Sequence, residues 1–238
     1  MTDKLLLEMR GHTALITINN PAANTWDSDN LTAMKEMVAE LNQNDECYSI
    51  VITGQGEKFF SAGADLNMFA SGDKAIARDL AEKFGAAFQA LSQFRGVSIA
   101  AINGFAMGGG LECALACDIR IAESQPVMAL PEATVGLLPS GLGTQHLSWA
   151  VGEGWAKRMI LCGERVDAHQ ALTIGLVEEV VEQGKSLEAA LALAEKVEKQ
   201  SPKSVSACKS LIMAARSVAI TDVYETEREA FVDLFDTE

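Results

Sequence analysis

Two glutamates, Glu112 and Glu132, each stand close behind small residues and glycines and could share acid–base work on one substrate. Glu112 closes the segment Asn103-Gly104-Phe105-Ala106-Met107-Gly108-Gly109-Gly110-Leu111-Glu112. Glu132 lies in Leu130-Pro131-Glu132-Ala133, with Gly136 and Gly141-Leu142-Gly143-Thr144-Gln145 beyond it. One carboxylate can take a proton from water while a second, held protonated, gives one up, and confinement in a partly apolar site drives two such titrations apart. Three successive glycines are entropically costly, so another requirement must favour them. At a helix start they leave N–H groups unpaired and open to a substrate oxygen. Tight helix–strand packing would use the same glycines, and a carboxylate in a first helical turn is favoured by the dipole alone; Pro131 suits position N1 of such a helix. A third segment, Phe59-Phe60-Ser61-Ala62-Gly63-Ala64-Asp65-Leu66, sets small residues after a strand, where backbone amides can approach a ligand or simply form a surface turn. The weight comes from the three segments occurring together.

Other chemistries find little support. The glycines do not follow G-x-G-x-x-G, and no G-x-x-x-x-G-K-[ST] occurs, so dinucleotide and P-loop fingerprints are rejected. A formal net charge of −14 argues against nucleic acid, which needs a basic face. An anionic ligand is still admissible where helix N-termini and backbone amides receive its charge. The three histidines (His12, His146, His169) are dispersed. Cys113 and Cys117, four apart, have no matching pair to complete a zinc site, so no metal is expected. Five scattered cysteines read as reduced core thiols of a cytoplasmic protein. Apolar runs such as Val97 to Ile102 are too short to span a bilayer, and the N-terminus does not read as a signal peptide.

These residues must be positioned by an alternation of strands and helices. Strands are expected at Leu5 to Met9, Ala14 to Asn19 (half-buried by its alternation), Ser49 to Thr53, Val97 to Ile102, Ile119 to Ala122 and Val127 to Leu130. Helices are expected from Asp27, over Lys74 to Phe94, and from the glycines to Ala116. Beyond Pro131 the pattern turns helical, at Thr144 to Ala150, Trp155 to Leu161, Ala168 to Ile174, Leu187 to Lys199, Lys203 to Ala215 and Asp222 to Phe235. An α/β core followed by a helical C-terminal section is the class this implies. A ββα rhythm recurs loosely in the first half, and no Ser/Gly/Pro-rich linker divides the chain.

Taken together, the three segments resemble the enoyl-CoA hydratase/isomerase, or crotonase, family, and the resemblance runs from about Leu5 to Phe235. Cys117-Asp118-Ile119-Arg120-Ile121-Ala122 also looks like that family's strand after the glycine helix. The resemblance implies a crotonase-like (ClpP/crotonase) spiral of ββα units. Residues 1-180 would form the core with an acyl-CoA site, and 181-238 a helical trimerisation section. It implies an oxyanion hole for the thioester oxygen, made by the backbone amides of Ala62 and Gly109. Glu112 would be the base that activates water and Glu132 the acid that protonates C2, adding water across a 2-enoyl-CoA to give a 3-hydroxyacyl-CoA. Ala22, Ala23, Ala62, Gly63, Ala64, Asp65, Leu66 and Gly109 would touch the substrate. The implied setting is fatty-acid β-oxidation, with no cofactor beyond the substrate's own coenzyme A. The helix Lys74 to Phe94 would border the acyl tail, and Met159, Leu161 and Leu172 would help to bury a homotrimer or dimer-of-trimers interface. An isomerase, another thioester enzyme of the fold, or a non-catalytic acyl-CoA binder are the alternatives. Against the family pattern, the loop Asn20-Pro21-Ala22-Ala23-Asn24 lacks its usual basic residue, Leu142 replaces a glycine, His146 replaces an arginine, and the family's usual final segment has no counterpart before Glu238.

Overall fold

The computed structural model describes residues 2–236. A hairpin of β1 (Leu5–Arg10) and β2 (Thr13–Ile18) leads into α1 (Ser28–Gln43), which Asp27 and Asn30 close with a reciprocal capping box. Three turns of a ββα spiral follow. The first is β3 (Ser49–Gly54), β4 (Phe59–Ser61) and α2 (Lys74–Ser92). The second is β5 (Val97–Ile102), β6 (Phe105–Met107) and α3 (Gly109–Ala116). The third is β7 (Ile119–Glu123), β8 (Val127–Ala129) and α4 (Gly143–Leu161). Then come β9 (Val166–Asp167), α5 (Ala168–Ile174), β10 (Glu179–Val181), α6 (Ser186–Val197), α7 (Pro202–Ala214) and α8 (Ile220–Asp233). The first strand of each turn joins a six-stranded sheet ordered β1-β2-β3-β5-β7-β10, and the second joins a four-stranded sheet ordered β4-β6-β8-β9. The expected α/β spiral is thus present. Strands β6, β9 and β10 are only two or three residues long, too short to show a period.

The half-buried reading of the second strand does not hold. Ala14, Ile16 and Ile18 enter the main core, while Leu15, on the opposite face, packs with Val51, Ile99 and Ile121 beneath Ala190 and Ala194 of α6. A helix lies over each face of the sheet, so both faces are apolar. Helix α6, which lies C-terminal to the division at residue 181, packs on β3, β5 and β7 of the sheet. The two helices expected between Thr144 and Leu161 are both present, run together as α4 and separated at Gly152, whose φ of 74° and ψ of 162° are not helical. Cys47, Cys113 and Cys117 are buried thiols, as expected, whereas Cys162 and Cys208 are exposed.

Helix α7 is tied to the core by Lys209, whose ammonium donates to Asp118 at 2.7 Å and to the Gly96 carbonyl at 3.0 Å. Helix α8 leans on α7 and buries none of its residues. Ile220, Tyr224 and Phe231 form an exposed apolar stripe along it, and Phe235 in the 3-10 turn beyond its end is exposed too. Met159 belongs to the core and is fully buried, so it is not free for an interface; Leu161 and Leu172 are exposed. No helix among the described residues is long and apolar enough to cross a membrane.

Candidate active site

The site forms where the second strands of the spiral turns run into their helices. Asn103, at the end of β5, fixes this corner: its Oδ1 accepts from Gly54 N at 3.0 Å, and its Nδ2 donates to the carbonyls of Gly54 and Gly56 at 2.9 and 2.6 Å. The chain then passes through β6 to Gly108, whose amide donates to Ala129 O at 2.9 Å and whose φ of +52° only glycine adopts easily. Helix α3 therefore starts abruptly and without a side-chain cap, which leaves the Gly109 N–H at its first position unpaired. Gly110 serves packing instead, since a Cβ there would stand 2.2 Å from Ser61 O. Both uses of the glycines, close packing and an open amide, are realised at different positions.

The turn after β4 leaves an amide other than that of Ala62 free. The Ala62 N–H donates to Ala23 O at 2.9 Å and is already committed. Trp26 pairs with the next residues, its N–H donating to Gly63 O at 2.8 Å and its carbonyl accepting from Asp65 N at 2.9 Å. That bridge turns the amide of Ala64 outward, and Ala64 N has no acceptor among the described residues. Ala64 and Gly109 both line a cavity of about 180 Å³, so the free amide of this turn belongs to Ala64 and not to Ala62. Four small residues in a row cannot reveal which N–H is taken; Trp26, nearly forty positions upstream, decides it.

The cavity gathers Ala62, Ala64, Leu66, Gly109, Glu112 and Glu132. It does not include the other expected contacts. Gly63 packs behind it, where a Cβ would meet Met107 O at 2.6 Å. The Asp65 carboxylate is spent capping the 3-10 turn Leu66–Phe69 through Asn67 N, Ala23 receives the Ala62 amide, and Ala22 is exposed. Phe84 of α2 supplies part of the wall, as expected of that helix, together with Phe69, Val135, Leu137 and Leu138. The last three follow Glu132 in a short apolar segment.

Glu112 is buried, and its Oε1 accepts from Gly141 N at 2.7 Å and Gly143 N at 2.9 Å. Oε2 has no donor among the described residues. Two amides separated by a left-handed residue make a small anion-binding nest, and the left-handed residue is Leu142 with φ +72°. That departure from glycine therefore carries backbone strain of about 1 kcal/mol. Leu142→Gly should raise the thermal midpoint with the Glu112 contacts intact, a result checked by calorimetry; an unchanged or lower midpoint would show that the leucine side chain contributes more than the strain costs.

Glu132 is not placed as its sequence suggested. Pro131 precedes a 3-10 turn, Glu132–Val135, instead of opening an α-helix, and α4 begins only at Gly143. A single short turn offers little dipole, so the dipole does not account for Glu132. Its carboxyl lies over Gly108, whose Cβ would be 3.0 Å from Oε1, and its buried Oε2 has no partner among the described residues. Burial raises Glu132 to about 7, moderated by its own backbone amide. Burial first, then the charge of Glu132, raises Glu112 to about 7 against the pull of the Gly143 and Gly141 amides. Both groups thus exchange protons near neutrality, one rigidly held and one unpartnered.

A ββα spiral that brings two free amides and two near-neutral carboxyls to one apolar cavity defines an enzyme built to polarise a carbonyl and move protons beside it. The chain belongs to the enoyl-CoA hydratase/isomerase family, whose profile matches residues 8–238. It is 37% identical, over 99% of its length and 91% of the relative's, to a short-chain-enoyl-CoA hydratase of Clostridium acetobutylicum. Its fold matches the structure of Pseudomonas aeruginosa DspI with a TM-score of 0.98 at 65% identity, covering 100% of this chain and 97% of that one. An enoyl-CoA hydratase from Bacillus anthracis matches with a TM-score of 0.95 at 32% identity, covering 99% and 92%.

Proposed function

We propose that the protein is an enoyl-CoA hydratase whose oxyanion hole is made by the amides of Ala64 and Gly109, with Glu112 as base and Glu132 as acid. The observation that carries the reading is the contrast between the carboxyls: Glu112 is fixed through one oxygen with the other free, and Glu132 is buried without a donor. Water oriented by Glu112 Oε2 loses a proton to it as its oxygen bonds to C3. The C2–C3 π pair shifts toward C2, negative charge grows on the thioester oxygen between the two amides, and the Glu132 proton passes to C2. The product is the 3-hydroxyacyl thioester, and proton exchange between the carboxyls restores the starting state. Preorganised amides stabilise that developing charge more than the ground-state carbonyl.

The substrate brings its own coenzyme A, and no further cofactor enters the scheme. The narrow cavity and its apolar rim suit a short enoyl chain. The exposed stripe on α8 supports assembly with copies of the same chain, a homotrimer or dimer of trimers. Unpaired buried thiols suit a reducing, cytoplasmic setting, where hydration would serve acyl-thioester degradation. Loss of enoyl absorbance from crotonyl-CoA tests the reading. Turnover of crotonyl-CoA ahead of long-chain 2-enoyl esters and of 3-enoyl-CoA is expected. Faster conversion of 3-enoyl-CoA to the 2-enoyl ester makes the protein an isomerase, and binding without turnover makes it a carrier.

A further inference from the structure

We propose that Phe88 of α2 is a positioning residue for Glu112: its ring stands where a side chain of Gly141 would be and holds the Gly141 amide against the carboxylate. The inference rests on the reading of Glu112 as the base and adds the residue that fixes it. A Cβ on Gly141 would lie 2.5 Å from Phe88 Cδ2 and 2.9 Å from Cε2, closer than side chains come. Backbone conformation does not demand glycine at this position, because the left-handed residue of the loop is Leu142. Glycine is needed there so that the ring can reach the main chain. The peptide is thereby held between two groups. Phe88 lies on one side, and on the other Glu112 Oε1 accepts from Gly141 N at 2.7 Å.

The loop needs such a clamp. Leu142 keeps a strained backbone (φ +72°), and residues of that kind persist only where the surrounding packing over-determines them. On the α2 side that packing is aromatic. Phe88 is fully buried and meets two rings edge-on, Trp26 at 5.5 Å and 77° and Phe84 at 5.9 Å and 69°. The Trp26 ring is held in turn, since its main chain pairs with Gly63 and Asp65 and its Cδ1 would be 3.5 Å from a Cβ on Gly109. The three rings therefore back the peptide that donates to Glu112, the turn that carries Ala64 and the start of α3. They set the base at a fixed distance from the oxyanion hole. Gly85, about one turn before Phe88, faces the same loop without crowding, its Cβ position 3.8 Å from Ser140 O. Phe88 is thus the tight contact between α2 and the loop, and it does not line the cavity.

The charged group facing Glu112 is Glu132; burial and that charge raise Glu112, and the Gly143 and Gly141 amides lower it. The test therefore starts from Glu132→Gln, which leaves Glu112 as the acid of the cavity, and follows its protonated carboxyl band by infrared titration of the full-length protein. Phe88→Leu in that background should raise the Glu112 midpoint by about one pH unit, on the order of one hydrogen bond to a charged group. Gly141→Ala should raise it as well, and in the double variant the shift should fall short of the sum, because both changes act through one contact. Leu91→Ala, a buried truncation on the same helix and outside the atoms nearest Gly141, should lower the thermal midpoint and leave the titration in place. With Glu132 intact, Phe88→Leu should lower kcat for crotonyl-CoA by about tenfold or more with KM unchanged, as expected of a displaced base behind an intact cavity. An unmoved midpoint in both Phe88→Leu and Gly141→Ala, shifts that simply add, or an equal shift in Leu91→Ala would overturn the proposal. If the parent does not turn over crotonyl-CoA, the hydratase reading falls, and the infrared titration still decides whether Phe88 holds Glu112.

Discussion

Glu112→Gln should lower kcat for crotonyl-CoA hydration by about 10²- to 10⁴-fold, the range that a positioned acid or base supplies. The amide keeps an oxygen to accept from Gly141 N and Gly143 N, so the loop stays in place while the proton acceptor is lost. Glu132→Gln should cost a similar factor by removing the proton donor. The pH profile separates the two roles. Both carboxyls lie near about 7 and interact, so the pair titrates in two macroscopic steps around neutrality. Activity needs one ionised and one protonated group, and the parent should show a bell with its maximum near neutral pH. Loss of the acidic limb in Glu112→Gln and of the alkaline limb in Glu132→Gln is the expected pattern. The opposite pattern exchanges the roles, and near-parental hydration by Glu112→Gln removes the two-carboxyl mechanism altogether.

The same raised titration has a consequence for stability. A carboxyl whose folded-state pKa lies above its unfolded value holds extra protons between the two, so stability falls as pH rises from about 4.5 to about 7. Above that range the folded protein bears the cost of a buried charge without a donor. Glu132→Gln removes the cost, on the order of 3 kcal/mol at pH 8, and gains little at pH 5, where the parental carboxyl is largely neutral. Denaturant midpoints at the two pH values check this; a gain of equal size at both would trace the effect to packing instead of charge.

The glycine-rich segments and the two glutamates were legible because their composition is improbable in ordinary elements. So was the ββα alternation, since each long strand and helix carries its own hydrophobic period. What stayed hidden depends on partners distant in sequence. The choice of Ala64 over Ala62 rests on a bridge to Trp26 and a bond to Ala23. Glu112 takes its donors from Gly141 and Gly143, about thirty residues away, and they converge only because Leu142 adopts a left-handed backbone. Leu15 looked solvent-facing because α6, which covers it, arrives about 170 residues later. Periodicity reports which face of a strand is apolar and cannot report a helix that returns to cover the other.

The two amides make a sharper test than either glutamate, because no side-chain truncation removes them. Gly63 lies behind both: it adopts φ +89°, and a Cβ there would stand 2.6 Å from Met107 O and 3.1 Å from Gly109 N. Neither neighbour is the far end of a flexible side chain, so Gly63→Ala must push the start of α3 away from Ala64 and spread the amides. Losing one such donor costs about 3 kcal/mol, or roughly 10²- to 10³-fold in kcat. Gly109→Ala should do less damage, since its Cβ meets the edge of the Phe84 ring at 2.8 Å and a ring can shift where a carbonyl cannot. Gly72→Ala is the control for backbone strain alone, with φ +65° and nothing within 4 Å of its Cβ. If charge on the thioester oxygen is stabilised here, Gly63→Ala loses kcat while acetyl-CoA binding falls much less, because the ground-state carbonyl gains little from the amides. A kcat indistinguishable from that of Gly72→Ala would place the developing charge elsewhere. An equal loss of kcat and acetyl-CoA affinity would make the pair of amides a binding device and leave the rate enhancement to the two carboxyls.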